Sequence, residues 1–174
     1  IDVLLCHEGN IKDPTVYVEG FEELVAEGSV RTYGISTNSL DVLSNFYEIS
    51  KGACAVVEVD YSLLNRNPEE GFLDYCLEKD LGILVRGPLA KGVLSGKFSR
   101  ETVFTDTVRN GWNAGESDRA DFEQMLDRMD VIKDAVGDDS KLVETALRYV
   151  IGHKSNPVVI PGATSVAQVK GNAA

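Results

Sequence analysis

The feature that most constrains the fold is a repeated alternation of short apolar runs with longer amphipathic stretches. Five runs rich in Val, Ile and Leu predict strands, because strands that are covered on both faces of a parallel sheet have this composition. They are Asp2–Cys6, Arg31–Ser36, Ala55–Asp60, Gly82–Arg86 and Pro157–Pro161. Strands that alternate with helices build βα units around a parallel sheet. The sequence therefore predicts an α/β fold with five consecutive βα units.

The amphipathic stretches carry helix start and stop signals. The predicted helices are Pro14–Glu27, Leu40–Ser50, Asn67–Lys79, Arg119–Val136 and Lys141–His153. Proline opens the first helix and Gly28 ends it, while Ser39 is the predicted cap of the second. Asp139 or Ser140 is the predicted cap of the last. The polar segment Ser99–Asp118 is predicted to be one long loop over the strand ends.

Two architectures accommodate five βα units. The first is part of a (β/α)₈ TIM barrel, which has eight strands and about 250 residues. The second is an open doubly wound sheet, but no G-x-G-x-x-G loop follows any of the predicted strands. The residues alone leave both architectures open. In the barrel, residues 1–174 form the C-terminal part of a single barrel domain, and its first strands are expected to precede Ile1.

Composition narrows the classes of partner. The formal net charge of −11 disfavours nucleic acid, and no apolar run approaches the length of a membrane span. Cys6, Cys54 and Cys76 are widely separated, so neither a metal site nor a disulfide is predicted. The N-terminus lacks the features of a signal peptide. We therefore expect a cytoplasmic protein that does not bind nucleic acid.

Five segments, in chain order, match motifs of one family. They are Ile1–His7 (IDVLLCH), Gly34–Ser36 (GIS), Val59–Arg66 (VDYSLLNR), Gly87–Lys97 (GPLAKGVLSGK) and Ile160–Ser165 (IPGATS). These segments resemble the strand that ends in the catalytic His, two later strand ends, the Pro-Leu-Ala loop and the adenosine-binding turn of the aldo-keto reductases. The resemblance covers essentially the whole chain. It implies the barrel in preference to the open sheet, and it implies an oxidoreductase.

The resemblance implies one catalytic residue. His7 would orient the substrate carbonyl while hydride leaves a nicotinamide, by donating a hydrogen bond to the carbonyl oxygen. Its expected position at the end of a strand agrees, because barrel active sites lie at the carboxyl ends of strands. The family's proton-donating Tyr, and the Asp and Lys that tune it, would lie before Ile1. Tyr61 is expected to line the substrate pocket or to pack.

The resemblance also implies a set of coenzyme-binding residues. They are Ser36, Thr37, Glu58, Arg86, Gly87, Pro88, Leu89, Lys91, Gly92, Ser95, Gly96, Lys97, Gly162, Thr164, Ser165, Gln168 and Asn172. Thr37 replaces the usual Asn, Glu58 a usual Gln, and Arg86 an aromatic residue that lies under the nicotinamide. The Arg86 guanidinium would stack on the ring and pair with Glu58. The alternative is a surface ion pair with no role in coenzyme binding.

The implied coenzyme is NADP(H), although NAD(H) stays open. Gly162 and Gln168 stand where many members hold the 2′-phosphate with Lys and Arg. The implied function is reduction of a small carbonyl substrate, without a metal. Two alternatives remain: a non-catalytic NADP(H)-binding subunit like the potassium-channel beta subunits, and an inactive fragment. A partial barrel would expose sheet edges, so self-association is also expected.

Overall fold

The computed structural model describes residues 1–173. They form two compact units. The first contains residues 1–61, 66–86 and 151–160, and the second contains 62–65, 87–150 and the residues from 161 onward.

The first unit is built on a five-stranded parallel sheet. Its strands are β1 (Val3–Cys6), β2 (Thr32–Ser36), β3 (Val56–Asp60), β4 (Gly82–Arg86) and β5 (Val158–Val159). They lie in chain order, and every neighbouring pair is parallel. A doubly wound sheet reverses its strand order at a switch point, whereas successive strands of a (β/α)₈ barrel follow one another around the sheet. This topology confirms the preference for the barrel.

The strand predictions are confirmed within one or two residues. The largest difference is β5, which is shorter than the predicted Pro157–Pro161. Pro157 and Pro161 have no backbone N–H and so cannot donate a hydrogen bond to β4, which limits β5 at both ends. Between them, Ile160 N donates to Val85 O at 3.0 Å, so the pairing with β4 continues one residue beyond Val159.

Three helices connect strands within the first unit: α1 (Thr15–Ala26), α2 (Leu40–Ile49) and α3 (Phe72–Glu78). Ser39 caps α2 as predicted, since its hydroxyl oxygen accepts from Val42 N at 3.3 Å. The prediction of one helix over Asn67–Lys79 is wrong. A 3₁₀ turn at Asn67–Glu69 is separated from α3 by Gly71, whose φ of 102° lies in the left-handed region and interrupts the helix.

The two faces of the sheet differ in character. Successive side chains of a strand point to opposite faces. On one face, Ile35, Val57 and Val85 are fully buried. On the other, Ser36 pairs in register with Glu58, and Glu58 pairs with Leu84. The sheet therefore has one closely packed apolar face and one face with polar groups towards the carboxyl ends of its strands.

The second unit contains α4 (Arg119–Val136), α5 (Leu142–Ile151) and α6 (Val166–Asn172). Helix α4 has the predicted bounds, and Gly137 ends it in the left-handed conformation. The cap of the 3₁₀ turn before α5 is Asp138, one residue before the predicted Asp139 or Ser140. Within residues 1–173, no helix has both the length and the apolar character needed to cross a membrane.

The core of the second unit is aromatic. Trp112 stacks on Phe122 with ring centroids 5.0 Å apart, and Phe104 meets both rings edge to face. Phe104 and Trp112 belong to the segment predicted as a loop over the strand ends. That prediction missed a structural role, because both side chains are buried and anchor the segment in the core.

Candidate functional site

A polar cavity of about 500 Å³ lies at the carboxyl ends of the first unit's strands. Eight residues line it: His7, Gly9, Asn10, Ser36, Thr37, Asn38, Ser39 and Arg86. Its volume lies in the range of small-molecule binding sites. The carboxyl ends of barrel strands are also where active sites of this architecture lie.

His7 follows the last residue of β1 and is exposed at the cavity wall. The preceding Cys6 is only 1% exposed. Burial raises the pKa of the Cys6 thiol above its usual value, so the thiol stays neutral. The strand thus directs Cys6 into the protein and leaves the next side chain available to a ligand. This is the position that the sequence predicted for the catalytic imidazole.

The hydroxyl groups of Ser36 and Thr37 are both engaged within the protein. Ser36 Oγ donates to Glu58 Oε1 at 2.7 Å. Thr37 Oγ1 donates to Gly9 O at 2.7 Å and accepts from Ser39 N at 3.1 Å. Each hydroxyl has one proton to donate. The Thr37 side chain therefore links the loop after β1 to the loop after β2. Because its proton is already donated to Gly9 O, the hydroxyl group could only accept a hydrogen bond from a coenzyme.

Asn38 was missed by the sequence analysis, which considered only Ser36 and Thr37 at the end of β2. Its side-chain oxygen accepts from Asp60 N at 3.0 Å and from Arg86 Nη2 at 3.1 Å. Both partners are donors, so the amide group has its oxygen towards them and its NH₂ group elsewhere. An Asn just beyond a strand end was the available signal, because a polar side chain in that position reaches the active-site edge of a barrel.

Arg86 supplies the guanidinium group of the cavity wall. Its closest carboxylate partner is Asp60, whereas the sequence analysis predicted Glu58. Its Nη1 atom lies 2.9 Å from Asp60 Oδ2, whereas its Nε atom is 3.9 Å from Glu58 Oε1. The predicted pair with Glu58 is therefore present but long. Asp60 and Arg86 are direct neighbours in the register of β3 and β4, which explains the closer contact.

The predicted segment Gly87–Lys97 lies in the second unit, where its backbone forms tight 3₁₀ turns. Gly87, Gly92 and Gly96 all have positive φ, as do the non-glycine residues Ala90 and Lys91. A Cβ atom on Gly96 would lie 2.6 Å from Leu142 Cδ1. Positive φ favours glycine at these three positions, and an added Cβ at Gly96 would also have to displace the Leu142 side chain.

The side chains of this segment also have contacts within their unit. Lys91 Nζ lies 5.5 Å from the Trp112 ring centroid, within the range of a cation–π contact. Ser95 Oγ donates to Gly92 O at 2.8 Å, and Leu89 packs against the aromatic core. Pro88 is buried, whereas Lys91 and Lys97 are both exposed. Both predicted phosphate-binding lysines are therefore accessible to a ligand.

The predicted adenosine-binding turn leads into the short helix α6 of the second unit. Thr164 N and Oγ1 both donate to Gln168 Oε1, at 2.6 and 3.0 Å. Ser165 Oγ caps α6 by accepting from Gln168 N at 3.2 Å. Gly162 and the last helical residue, Asn172, complete the predicted set. The helix has seven residues, so its terminus offers less electrostatic attraction to phosphate than a long helix would.

The structure thus brings part of the predicted site together. His7, Ser36, Thr37 and Arg86 line one cavity, and Glu58 contacts two of them. The remaining predicted residues lie on the segments 87–97 and 162–172 of the second unit.

Comparison with known proteins identifies the family. The model of the aldo/keto reductase family matches residues 1–174. The uncharacterized oxidoreductase YqkF of Bacillus subtilis is 30% identical over 173 residues, which cover 99% of this chain and 53% of that protein. The chain belongs to the aldo/keto reductase family.

Two solved structures support the same assignment. The holo form of the aldo-keto reductase AKR11C1 from Bacillus halodurans matches with a TM-score of 0.75 and 31% identity, over 99% of this chain and 54% of that one. An aldo/keto reductase from Klebsiella pneumoniae, solved with NADP and acetate, matches with a TM-score of 0.65 and 26% identity, over 99% of this chain and 52% of that one. The predicted TIM-barrel class is therefore confirmed, and this chain contains five of the strands. The chain spans about half the length of the relatives it matches.

Proposed function

We propose that the protein containing this chain reduces small aldehydes or ketones by hydride transfer from NADP(H), with NAD(H) as the other candidate coenzyme. Residues 1–174 would be the C-terminal part of a single barrel domain. The observation that carries the proposal is the position of His7, which directly follows β1 and lines the polar cavity. Family membership and the Klebsiella relative solved with NADP support the choice of chemistry and coenzyme.

The donors of the cavity fit a nicotinamide and a carbonyl substrate. Both ligands present neutral oxygen acceptors, and the wall offers the His7 imidazole, the Asn38 amide and the Arg86 guanidinium. The coenzyme, when bound, supplies the hydride. Ser36 and Thr37, whose protons are already donated within the wall, keep these donors in place.

The proposed role of His7 is to donate a hydrogen bond to the substrate carbonyl oxygen. Negative charge grows on that oxygen as hydride arrives at carbon, so a positioned donor lowers the barrier more than it strengthens ground-state binding. The proton that completes the alcohol would come from the family's Tyr, which the resemblance places before Ile1. Tyr61 does not substitute for it, because its ring is 1% exposed and its hydroxyl donates to Glu69 Oε1 at 2.8 Å.

The test is a coenzyme-oxidation assay on the full-length protein with uncharged aldehydes and ketones. Loss of NADPH or NADH absorbance that depends on the carbonyl compound would support the proposal. Tight coenzyme binding without turnover of any carbonyl would favour a regulatory binding subunit instead.

For the 174-residue chain by itself we propose little or no reductase activity and a tendency to self-associate. Among the described residues, β1 and β5 each pair with only one neighbouring strand. Unpaired strand edges recruit other chains. Light scattering together with the same oxidation assay tests both statements, and an active monomer of 18.9 kDa would contradict them.

A further inference from the structure

The position of the His7 imidazole depends on the backbone on either side of it. Among residues 1–173, no side chain forms a hydrogen bond or an ion pair with this imidazole. The preceding Cys6 is buried at the end of β1. A tight turn follows His7 at once and is closed by a hydrogen bond of 3.0 Å from Ile11 N to Glu8 O. The strand and this turn together therefore set where the imidazole lies.

The side chain of Thr37 holds this turn. Its Oγ1 atom donates to Gly9 O at 2.7 Å, across 28 residues of sequence. The same atom accepts from Ser39 N at 3.1 Å, and Ser39 caps α2. Both distances are in the range of well-formed hydrogen bonds. One hydroxyl group thus connects the turn after His7 to the N-terminus of α2.

Close packing reinforces this connection. A Cβ atom added to Gly9 would lie 3.2 Å from Ser36 O and 3.7 Å from Thr37 Cα, so the turn lies directly against the end of β2. Farther along the loop, Asn45 Nδ2 of α2 donates to Lys12 O at 3.1 Å. The loop is therefore held at two points, and Thr37 provides the one that is nearer to β1.

The burial of Thr37 favours this internal role over contact with the coenzyme. The residue is only 3% exposed, although it belongs to the cavity wall. A hydroxyl group has one proton and two lone pairs. The proton is donated to Gly9 O and one lone pair accepts from Ser39 N, so little of the group's capacity is left for a ligand. The family resemblance, in contrast, predicts Thr37 as a coenzyme-binding residue.

We propose that Thr37 is a positioning residue for His7: its hydroxyl group fixes the turn Glu8–Ile11 and thereby the location of the imidazole, without touching the coenzyme. A hydrogen-bond donor is effective only where it meets the developing charge, and a displacement of about 1 Å can cost on the order of a hundredfold in rate. The inference rests on the proposed function for the role of the imidazole. The effect of Thr37 on the position of His7 needs no turnover.

The kinetic test uses substitutions of Thr37 in the full-length protein. Thr37→Val keeps the shape of the side chain and removes the hydroxyl group, whereas Thr37→Ser keeps the hydroxyl group. We expect Thr37→Val to lower kcat by about tenfold or more and to change the dissociation constant of the coenzyme by less than about twofold. Thr37→Ser should restore most of the turnover. Thr37→Ala, which places no methyl group against Gly9 O, is the second variant if Thr37→Val folds poorly.

Ser50→Ala is the matched control. Ser50 is 1% exposed, and its Oγ atom donates to Tyr47 O at 2.9 Å and accepts from Cys54 N at 3.1 Å. This hydroxyl group therefore has the same arrangement of backbone partners as that of Thr37. It follows α2 and precedes β3, so it lies towards the amino ends of the strands and does not line the cavity. Its removal should lower stability and leave turnover unchanged.

A second readout does not require turnover. The NMR signals of the His7 imidazole can be assigned by their loss in His7→Ala, and their chemical shifts report the surroundings of the ring. We expect these shifts to change in Thr37→Val and to return towards the wild-type values in Thr37→Ser. They should stay unchanged in Ser50→Ala.

In an active protein, the inference is overturned if Thr37→Val leaves either turnover or the His7 signals unchanged, or if it weakens coenzyme binding without lowering turnover. It is also overturned if Thr37→Ser gives no recovery or if Ser50→Ala lowers turnover equally. Failure of the proposed function has a different signature. In that case the wild-type protein oxidises no coenzyme with any carbonyl compound, and the NMR comparison alone decides whether Thr37 positions His7.

Discussion

Gly34 of β2 lies directly against the backbone of Val56 in β3. A Cβ atom added to Gly34 would be 1.6 Å from the Val56 carbonyl oxygen and 2.6 Å from its carbonyl carbon. The two residues are register partners in the parallel pairing of the strands. Backbone atoms of a central sheet cannot move aside as the end of a flexible side chain can. The close approach of these strands therefore requires glycine.

Gly34→Ala is expected to destabilise the protein by at least about 3 kcal/mol, because the added methyl group must force β2 and β3 apart. Chemical denaturation would measure the loss. Gly20→Ala is the matched control. Gly20 lies inside α1 with no atom within 4 Å of an added Cβ, so this change should stabilise by about 0.5–1 kcal/mol. Equal effects of the two substitutions would contradict the packing argument.

His7→Ala in the full-length protein is expected to lower turnover by about a hundredfold or more and to change coenzyme affinity little. The imidazole is proposed to donate a hydrogen bond to the substrate carbonyl oxygen and to make no contact with the coenzyme phosphates. Steady-state kinetics and coenzyme titration would separate the two effects. His153→Ala is the control, since His153 bonds Ser155 Oγ at 2.8 Å and does not line the cavity. Unchanged turnover in His7→Ala would remove this residue from the proposed mechanism.

Gln168→Arg is expected to tighten NADP(H) binding without an equal gain for NAD(H). If Gln168 and Ser165 are the main 2′-phosphate contacts, wild-type discrimination between the coenzymes should be modest, and a guanidinium would add charge-assisted hydrogen bonds. Fluorescence titration with both coenzymes measures the ratio. Gln124→Arg, an exposed position on α4, is the matched change and should not alter it. A similar effect on both coenzymes would argue against the predicted adenosine turn.

Stability is expected to fall as pH rises from about 9 to 12. Burial raises the pKa of the Cys54 thiol from 9.0 to about 11 and that of Cys76 from 9.0 to about 12. Burial, with the charge of Glu22, raises the pKa of Tyr33 from 10.0 to about 12. The unfolded chain therefore loses these protons first, so the stabilisation is complete below pH 9 and is lost towards the folded-state values.

Urea denaturation between pH 8 and pH 11 would test this dependence. Cys54→Ala removes one titrating group and should flatten the curve by roughly 2 kcal/mol over that interval. A free energy of unfolding that stays constant above pH 9 would show that the thiols are less protected from water than their 1% and 0% exposures indicate.

Much of the fold was determined by local sequence patterns. Five runs rich in Val, Ile and Leu predicted five parallel strands. Ser39 was predicted to cap the second helix and Arg119–Val136 was predicted to be a helix, and the structure has both features. These features depend on neighbouring residues and on backbone geometry, so they can be read without knowledge of distant contacts. The position of His7 directly after β1 was predictable for the same reason.

Other features were decided by the tertiary structure. The pairing of Arg86 with Asp60 in preference to Glu58 depends on the register between β3 and β4, and the orientation of Asn38 depends on donors that are 22 and 48 residues away in the chain. The burial of Trp112 likewise depends on helix α4. The sequence by itself determined the strands, the family motifs and the candidate histidine. Only the folded chain decided which charges neutralise one another, because that depends on distances of a few ångströms between residues that are distant in sequence.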